Sequence, residues 1–201
     1  RNALRKGDPV LGDMTMPYTV AGKVFQAAAD RAGWSRRATS APPRAGKVRG
    51  RGLAGGTWSV WAGGSAACVQ LNEDGSVFVL TGAINLTGTD TSFAQIAAEA
   101  FGIAVERTRA YHTSPRNDGS WGSRVLFGVG EAVRRACEDA KRQLAEAMAE
   151  EWGISPEKVE VAGGRVRAAG KEGRSMALPH AAGRATDSRG AIVGRASLSD
   201  L

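Results

Sequence analysis

The stretch that decides the fold is Asp118-Gly119-Ser120-Trp121-Gly122-Ser123-Arg124 together with the long periodic segment that follows it, up to Trp152. In this segment apolar residues recur at three- and four-residue steps: Val129, Ala132, Val133, Ala136, Ala140, Leu144, Ala147 and Met148. This spacing predicts a long helix with one apolar face turned to a core. Charged residues occupy most of the other positions and predict a face in water.

The Gly/Ser turn at Asp118 to Arg124 lies directly before this helix. The first turn of a helix has backbone N–H groups without intrahelical acceptors, and the helix dipole is positive there. Such a turn is suited to binding an anion such as phosphate. The alternative interpretation is an ordinary capped helix without a ligand.

A second turn of the same kind lies at Leu86 to Thr91. A helix is predicted after it, with Asp90 or Thr89 as N-cap and Gly102 as its stop. Its apolar stripe consists of Phe93, Ile96, Ala97, Ala100 and Phe101. If both helices pack on one sheet, their N-termini could converge at one end and form a better anion site than either alone.

Alternation of apolar and polar residues predicts the strands. One hairpin is predicted at 66–81 with its turn at Glu73-Asp74-Gly75, and a second hairpin near Val159 to Ala168 with its turn at Gly163-Gly164. Val105 to His112 reads as a short strand. We therefore expect an α+β fold, with a largely antiparallel sheet and two main helices packed on one face.

The composition suggests two regions. Residues 1–50 are expected to be a connecting segment, with one helix at Val20 to Trp34 and a basic linker after it. Residues 51–201 are expected to form the α+β domain. After the second hairpin, residues 169–201 are polar and glycine-rich, and only Ser175 to Ala182 suggests a short helix there.

Composition also limits the classes of function. In this chain of 201 residues, 42% are hydrophobic and 23% charged, which is typical of a globular protein. The net charge of +7 is dispersed along the sequence, so it is as compatible with an acidic protein partner as with nucleic acid. No apolar run approaches the ~18 residues of a membrane span, and a cytoplasmic location is expected. Because the N-terminus lacks Met, the chain is expected to be a piece or a processed subunit.

The usual chemistry-bearing motifs are missing. Cys68 and Cys137 lie in apolar patterns, and the two histidines have no zinc-ligand spacing with them. No P-loop or Gly-x-Gly-x-x-Gly motif is present. His112 is expected to be a surface or structural residue and Asp118 a turn residue. The residues alone therefore predict an anion-binding surface with no acid, base, nucleophile or metal ligands.

Three tryptophans lie in glycine-rich loops: Trp58, Trp61 and Trp121. They could line a pocket, or they could pack over glycine, and the sequence does not separate these alternatives.

Several segments resemble, in order and spacing, the molybdenum-cofactor-binding subunit of the xanthine dehydrogenase/aldehyde oxidase family. They are Arg1-Asn2 with Leu4-Arg5 and Gly7-Asp8, Arg49 to Ala54, Cys68 to Gly82, Thr87 to Thr91, Gln95 to Glu99, Gly102-Ile103, Glu106-Arg107, Asp118-Gly119-Ser120 with Ser123-Arg124, and Gly130 with Ala132-Val133. Each motif is short, but together they cover residues 1 to about 170.

The resemblance implies part of a molybdenum hydroxylase, an oxidoreductase that binds molybdopterin, often as its cytosine dinucleotide in bacteria. It implies that Thr87 and Gly88 in one loop, and Gly122, Ser123 and Arg124 in the other, contact the pterin and its phosphates. Electrons would leave through iron–sulfur and FAD modules on partner domains or subunits. The expected partners are the remainder of the molybdenum subunit, these electron-transfer modules and a small-molecule substrate, with no nucleic acid and no membrane.

The sequence departs from the family pattern at two positions in these loops. Leu86 replaces the first glycine of a Gly-x-Gly, and Val125 stands where a small hydroxyl residue is frequent. The Phe-containing glycine-rich loop, the Arg-Gly loop and the Gly-Glu-Pro with the catalytic glutamate do not occur in these residues. The chain is therefore expected to bind cofactor without catalysing the reaction alone. The alternatives are a degenerate structural or partner-binding domain of the same fold and, last, a basic nucleic-acid binder.

Overall fold

The computed structural model describes residues 3–10, 12–16, 18–35, 46, 50–56, 64–113, 119–170 and 173–199. The chain divides into two compact units, Arg1–Trp58 and Ser59–Leu201. The expectations for Trp58, Trp61 and Asp118 lie outside the described residues.

Among its described residues the first unit contains one helix, α1 (Ala21–Arg31), as the sequence predicts for this region. The chain leaves the helical conformation at Gly33, which has a φ of 58°. The Arg51 guanidinium donates to the carbonyl oxygens of Gly33 (3.1 Å) and Trp34 (2.9 Å) and lies over the Trp34 ring. These contacts connect the segment after the basic linker to the end of α1.

The second unit contains three helices, seven strands and two sheets among its described residues. The strands are β1 (Ser65–Leu71), β2 (Val77–Thr81), β3 (Thr108–His112), β4 (Val159–Ala162), β5 (Arg165–Ala168), β6 (Ser175–Ala177) and β7 (Ile192–Leu198). The helices are α2 (Thr89–Phe101), α3 (Gly130–Trp152) and α4 (Leu178–Arg189).

The larger sheet has the strand order β3-β2-β1-β7. The predicted hairpin is confirmed, because β1 and β2 pair antiparallel with Val69 opposite Val79. Burial alternates along both strands, which turns Val69, Leu71, Val77 and Val79 to the core. Four of the five strand pairings described are antiparallel, so the predicted α+β fold with a largely antiparallel sheet is confirmed.

The exception is the β2–β3 pair, which is parallel, with Val77 opposite Thr108 and Thr81 opposite His112. A parallel pair needs a crossover connection, and α2 supplies it. In this β2–α2–β3 unit residues 82–88 lead from the end of β2 to the start of α2. Parallel pairing places the end of β3 beside the end of β2, with Thr81 opposite His112, so the start of α2 lies near both strand ends.

The C-terminal residues differ from the prediction. The 169–201 region, expected to be irregular apart from one short helix, forms β6, a longer helix α4 and β7. Strand β7 pairs along the whole of β1, from Ser65 opposite Leu198 to Leu71 opposite Ile192. The prediction missed β7 because Gly194 and Ala196 on its inner face weaken the apolar alternation.

Small residues are required at that position because α3 crosses β7 very closely. A Cβ on Gly194 would overlap the Ala136 carbonyl oxygen and the Ala140 backbone nitrogen. All eight residues of the predicted apolar face of α3 are buried, which confirms the long-helix prediction. Helices α2 and α3 therefore cover the inner face of the larger sheet and build the core with it.

The smaller sheet has the order β4-β5-β6 and includes the second predicted hairpin. Its turn lies against the end of α2, where the Gly164 N–H donates to the Phe101 carbonyl oxygen (2.8 Å). A Cβ on Gly102 would lie 2.5 Å from the Gly163 backbone, and one on Gly164 would lie 3.1 Å from the Gly102 carbonyl oxygen, so this close approach depends on Gly102 and Gly164. The contact fixes the smaller sheet beside the α2–α3 layer.

Candidate functional site

The two predicted turns meet at one cleft. The cleft has a volume of about 340 Å³ and contains residues of both segments: Ile84, Leu86, Thr87, Thr89, Ser120, Trp121, Gly122, Ser123, Arg124, Val125 and Leu126. The structure thus brings together four of the five predicted cofactor-binding residues as lining residues, and the fifth, Gly88, lies in the chain between the lining residues Thr87 and Thr89. Sequence reasoning did not foresee Ile84 and Leu126, whose exposed apolar side chains have no marker for such a role.

The α2 turn differs from the predicted cap. Helix α2 begins at Thr89 with Gly88 as its N-cap, so the prediction of Asp90 or Thr89 as N-cap was wrong. Gly88 has a φ of 84°, a conformation that favours glycine, and as a glycine it supplies no capping side chain. The Thr89 hydroxyl donates instead to the Ile84 carbonyl oxygen at 2.9 Å. This helix start is therefore held by the loop before it, which also supplies Asn85 Oδ1 as a distant acceptor (3.4 Å) for the Asp90 N–H.

The second turn enters α3 through an irregular first turn. Gly122 has a φ of 62°, and a π-helical turn at Val125–Val129 precedes the regular part of α3. Single π-helical turns are frequent at functional sites. Here the wide turn places Leu126 and Phe127 at the surface, 51% and 57% exposed.

Two residues of the cleft have strained backbones. Thr87 (φ 62°) and Ser123 (φ 57°) are the only residues other than glycine with positive φ among those the structure describes. For a β-branched residue such as Thr this conformation is unfavourable, and residues of this kind cluster at binding sites. Thr87 lies in one predicted loop and Ser123 in the other. A positive φ at a residue other than glycine therefore distinguishes these two turns from the other turns of the described chain.

Arg124 lies at the base of the cleft and is fully buried. Its guanidinium donates to the carbonyl oxygens of Gly119 and Gly64 (2.8 Å each) and to the Ser65 hydroxyl (2.7 Å). It therefore joins the turn before α3 to the start of β1. The resemblance implied that Arg124 contacts the pterin and its phosphates, and that contact stays a prediction; the hydrogen bonds described here fix the turn before α3.

The departures Leu86 and Val125 both line the cleft. Leu86 is 68% exposed, so its side chain lies at the rim and not in the core. Val125 is half-buried and packs against the core. The Thr87 hydroxyl donates to the preceding carbonyl of Leu86 (2.6 Å), which leaves its oxygen lone pairs facing solvent or a ligand.

His112 at the end of β3 contacts the start of α2. One ring nitrogen lies against the Ala83 carbonyl oxygen and the other, Nε2, is 3.2 Å from Asp90 Oδ2. This agrees with the predicted structural role, since the ring joins a strand end to a helix start. Asp90 Oδ1 is the one buried side-chain polar atom without a hydrogen-bond partner in the described chain, so a donor for it has to come from water or a ligand.

The described residues contain no group of three or more His, Cys, Asp and Glu side chains that could hold a metal ion. Both cysteines are free thiols. Cys137 is fully buried on α3, and burial raises the pKa of its thiol to about 12, whereas Cys68 is half-buried on the outer face of the larger sheet. Within the described part of the chain, no helix is long and apolar enough to cross a membrane.

Comparison with known families agrees with this geometry. A model of the molybdopterin cofactor-binding domain matches residues 27–199, which include both turns and every described helix and strand of the second unit. The chain therefore belongs to the molybdopterin cofactor-binding domain family. The resemblance inferred from the short motifs is confirmed.

The chain is also similar to individual proteins. It is 30% identical over 164 residues to a putative xanthine dehydrogenase molybdenum-binding subunit of Escherichia coli (strain K12), with 72% of this chain and 21% of that protein covered. Solved structures share its fold as well, among them the following two. A Cu,Mo-CO dehydrogenase gives a TM-score of 0.64 at 21% identity, with 71% of this chain and 21% of that chain covered.

The second is quinoline 2-oxidoreductase from Pseudomonas putida 86, with a TM-score of 0.58 at 22% identity and coverage of 68% of this chain and 19% of that chain. The chain spans about a fifth of the length of these relatives. It thus matches one domain of proteins that are much longer.

Proposed function

We propose that the cleft between the two turns is one wall of a molybdopterin-binding site and holds the pterin and its phosphates. The observation that carries this proposal is the meeting of two uncommon turns, each with one strained non-glycine residue, at the starts of α2 and α3. Backbone strain of this kind costs of order 1–3 kcal/mol and persists where the surrounding structure enforces it. A binding role gives a reason for its occurrence in both loops.

The residues present fit a phosphate-bearing heterocycle. Gly122 lines the cleft without a Cβ, and Gly88 stands without one between the lining residues Thr87 and Thr89. At the start of α2 the Asp90 N–H donates to Asn85 Oδ1 over 3.4 Å, a long hydrogen bond that a phosphate oxygen would readily replace. Thr87 and Ser123 supply exposed hydroxyls. Trp121, 51% exposed, and Leu86 supply apolar surface of the kind that packs on a flat ring.

Each side chain has a defined part in this proposal. Thr87, Gly88, Gly122 and Ser123 bind and orient the cofactor with hydroxyl and backbone N–H groups. Arg124 acts from behind, because its buried guanidinium holds the Gly119 carbonyl and thereby the turn. When bound, the molybdenum centre of the cofactor would supply the redox chemistry; none of the five residues is assigned a proton or a nucleophile.

The whole protein is then proposed to be an oxidoreductase of the molybdenum hydroxylase type. Its cofactor is molybdopterin, with the cytosine dinucleotide as the proposed form, and iron–sulfur and FAD groups are placed on partner domains or subunits. The isolated chain is expected to be inactive, and a cytoplasmic location is proposed for the complete enzyme.

Molybdenum analysis of the complete subunit tests the proposal. The assembled protein is expected to contain molybdenum in near-equimolar amount, and Gly122→Val is expected to lose most of it because valine is strained at a φ of 62°. Ser188→Ala on α4 is the matched control and should retain the metal. A correctly folded assembly without molybdenum would contradict the proposal.

The competing interpretation is a degenerate domain that has kept the fold without the cofactor. Leu86 and Val125 motivate it, since both place larger apolar groups on the cleft wall. Crystals soaked in sulfate or phosphate separate the two readings. An anion at the α2 and α3 turns favours cofactor binding, and a cleft that stays free of anions favours the degenerate domain.

A further inference from the structure

A long groove runs along the outer side of α3 and is separate from the cofactor cleft for most of its length. Its first half lies between α2 and α3 and has a volume of about 660 Å³. Its second half lies between α3 and β4 and has a volume of about 650 Å³. Glu138 and Lys141 line both halves, so the two cavities adjoin. We call this feature the α3 groove.

The α3 groove has an apolar lining that no other described part of the chain covers. Ile96, Ala100, Leu126, Phe127, Ala145 and Val159 contribute to it. Phe127, at 57% exposed, is the largest of these side chains, and the π-helical turn directs it outward. Exposed apolar surface in a concave site indicates a place where another protein surface packs.

The charges along the groove leave it negative. Arg134 is paired with Glu131 and Glu138, and Arg142 with Asp139 and Glu146. The third cation, Lys141, donates to the Ala100 carbonyl oxygen at 3.1 Å. The positive charges on this wall are thus already engaged within the chain.

Three carboxylates on the groove remain without a cation partner among the described residues: Glu99, Glu157 and Glu160. Glu99 lies in the half beside α2, and the other two lie in the half beside β4. The lining of the groove contains six carboxylates and three cations, so in a chain with a net charge of +7 it is a local reversal of sign. Its complement is a segment with apolar side chains and lysines or arginines.

The length of the groove fits such a segment. Phe127 and Ala145 are 18 positions apart on the helical segment, which corresponds to about 27 Å at ~1.5 Å per residue. That length suits an amphipathic helix of five turns lying in the groove with its apolar face inward.

We propose that the α3 groove binds a basic amphipathic segment from the rest of the molybdenum-binding subunit. This proposal rests on the proposed place of the chain in a larger subunit, and it does not depend on the cleft, because Phe127, Glu99 and Glu160 do not line the cleft. A protein segment from the same assembly is the occupant favoured here over a second copy of this chain, since two copies would bring like-charged grooves together.

Carbodiimide cross-linking of the assembled enzyme tests this surface, because the reagent joins a carboxylate directly to a lysine in contact with it. Cross-links from Glu99, Glu157 or Glu160 to lysines elsewhere in the subunit are expected, with few from the exposed control Glu73 on the β1–β2 turn. Phe127→Ser is expected to weaken association of the chain with the rest of the subunit about tenfold or more, as for an aromatic anchor in a pocket. Glu160→Lys should weaken it and Glu73→Lys should not.

Each outcome has a defined meaning. Groove carboxylates that link no more often than Glu73, or that link to a second copy of the chain, would overturn the proposal, and so would unchanged association of Phe127→Ser. Failure of the chain to associate at all would overturn it as well. An assembly that contains molybdenum with an open groove refutes only this proposal, whereas a filled groove without molybdenum refutes only the proposed cofactor function.

Discussion

Replacement of Arg124 by methionine is the perturbation whose effect can be worked out most fully from the structure. The arginine is fully buried and donates to three acceptors, the carbonyl oxygens of Gly119 and Gly64 and the hydroxyl of Ser65. Methionine keeps much of the apolar volume but donates nothing. A buried acceptor left without a donor costs about 1–3 kcal/mol.

At the lower figure for each of the three acceptors, Arg124→Met should lower the free energy of unfolding by about 3 kcal/mol. Urea denaturation measures this change. With a slope of about 2 kcal/mol per M, the midpoint should fall by roughly 1.5 M. Arg124→Lys should lie between wild type and Arg124→Met, because an ammonium group cannot match the geometry of the guanidinium at three separate acceptors.

The matched control is Arg135→Met on the exposed side of α3. Arg135 has a side chain that is 48% exposed and pairs with Glu131 at 2.7 Å. Exposed pairs of this kind contribute about 0.3–0.5 kcal/mol, so the control should stay within that range. If Arg124→Met is as stable as the control but loses cofactor in the assembled subunit, Arg124 is a direct ligand and the reasoning that it fixes the turn from behind is refuted.

Two further predictions concern the core. Gly194→Ala should destabilise the protein by about 3 kcal/mol or more, because its Cβ would overlap Ala136 and Ala140 on α3. The control is Gly183→Ala, whose Cβ would have the Glu73 carbonyl oxygen as its nearest neighbour, at 3.8 Å. This control should be as stable as wild type or up to ~1 kcal/mol more stable, and thermal unfolding compares the two variants. A Gly194→Ala variant with unchanged stability would contradict the close crossing. Burial raises the pKa of Cys137 from 9.0 to about 12, so at pH 8 its thiolate fraction is about a thousandfold lower. Iodoacetamide should therefore modify Cys68 in the folded protein and Cys137 only on unfolding, and rapid modification of both would refute the buried position of Cys137.

Helices and strands could be predicted where the apolar residues of the sequence follow a strong periodicity. In α3, β1 and β2 the apolar residues recur at the period of the element, because all of them face the same core. Strand β7 was not predictable in the same way. Its inner face carries Gly194 because a helix passes directly over it, and the sequence cannot show which glycine lies beneath a helix.

The same distinction applies to the site. Both turns could be located from small residues before helices, and the structure brings them together as lining of one cleft. The burial of Arg124 could not be foreseen, since arginine is rarely buried and its three partners come from a turn and from a strand about 60 residues away. The left-handed conformation of Thr87 and Ser123 is equally hidden, because neither residue type favours it.

The central claim is that the two turns bind the phosphate-bearing pterin, and a titration followed by backbone amide NMR tests it most directly. Pyrophosphate and a pterin nucleotide are added separately to the chain at low salt. Saturable shifts of the Gly88, Gly122 and Ser123 amides are predicted, and they should be larger with the pterin nucleotide, which should also shift the Trp121 indole. Shifts confined to the basic residues from Arg165 to Arg174, with the two turns unchanged, would contradict it.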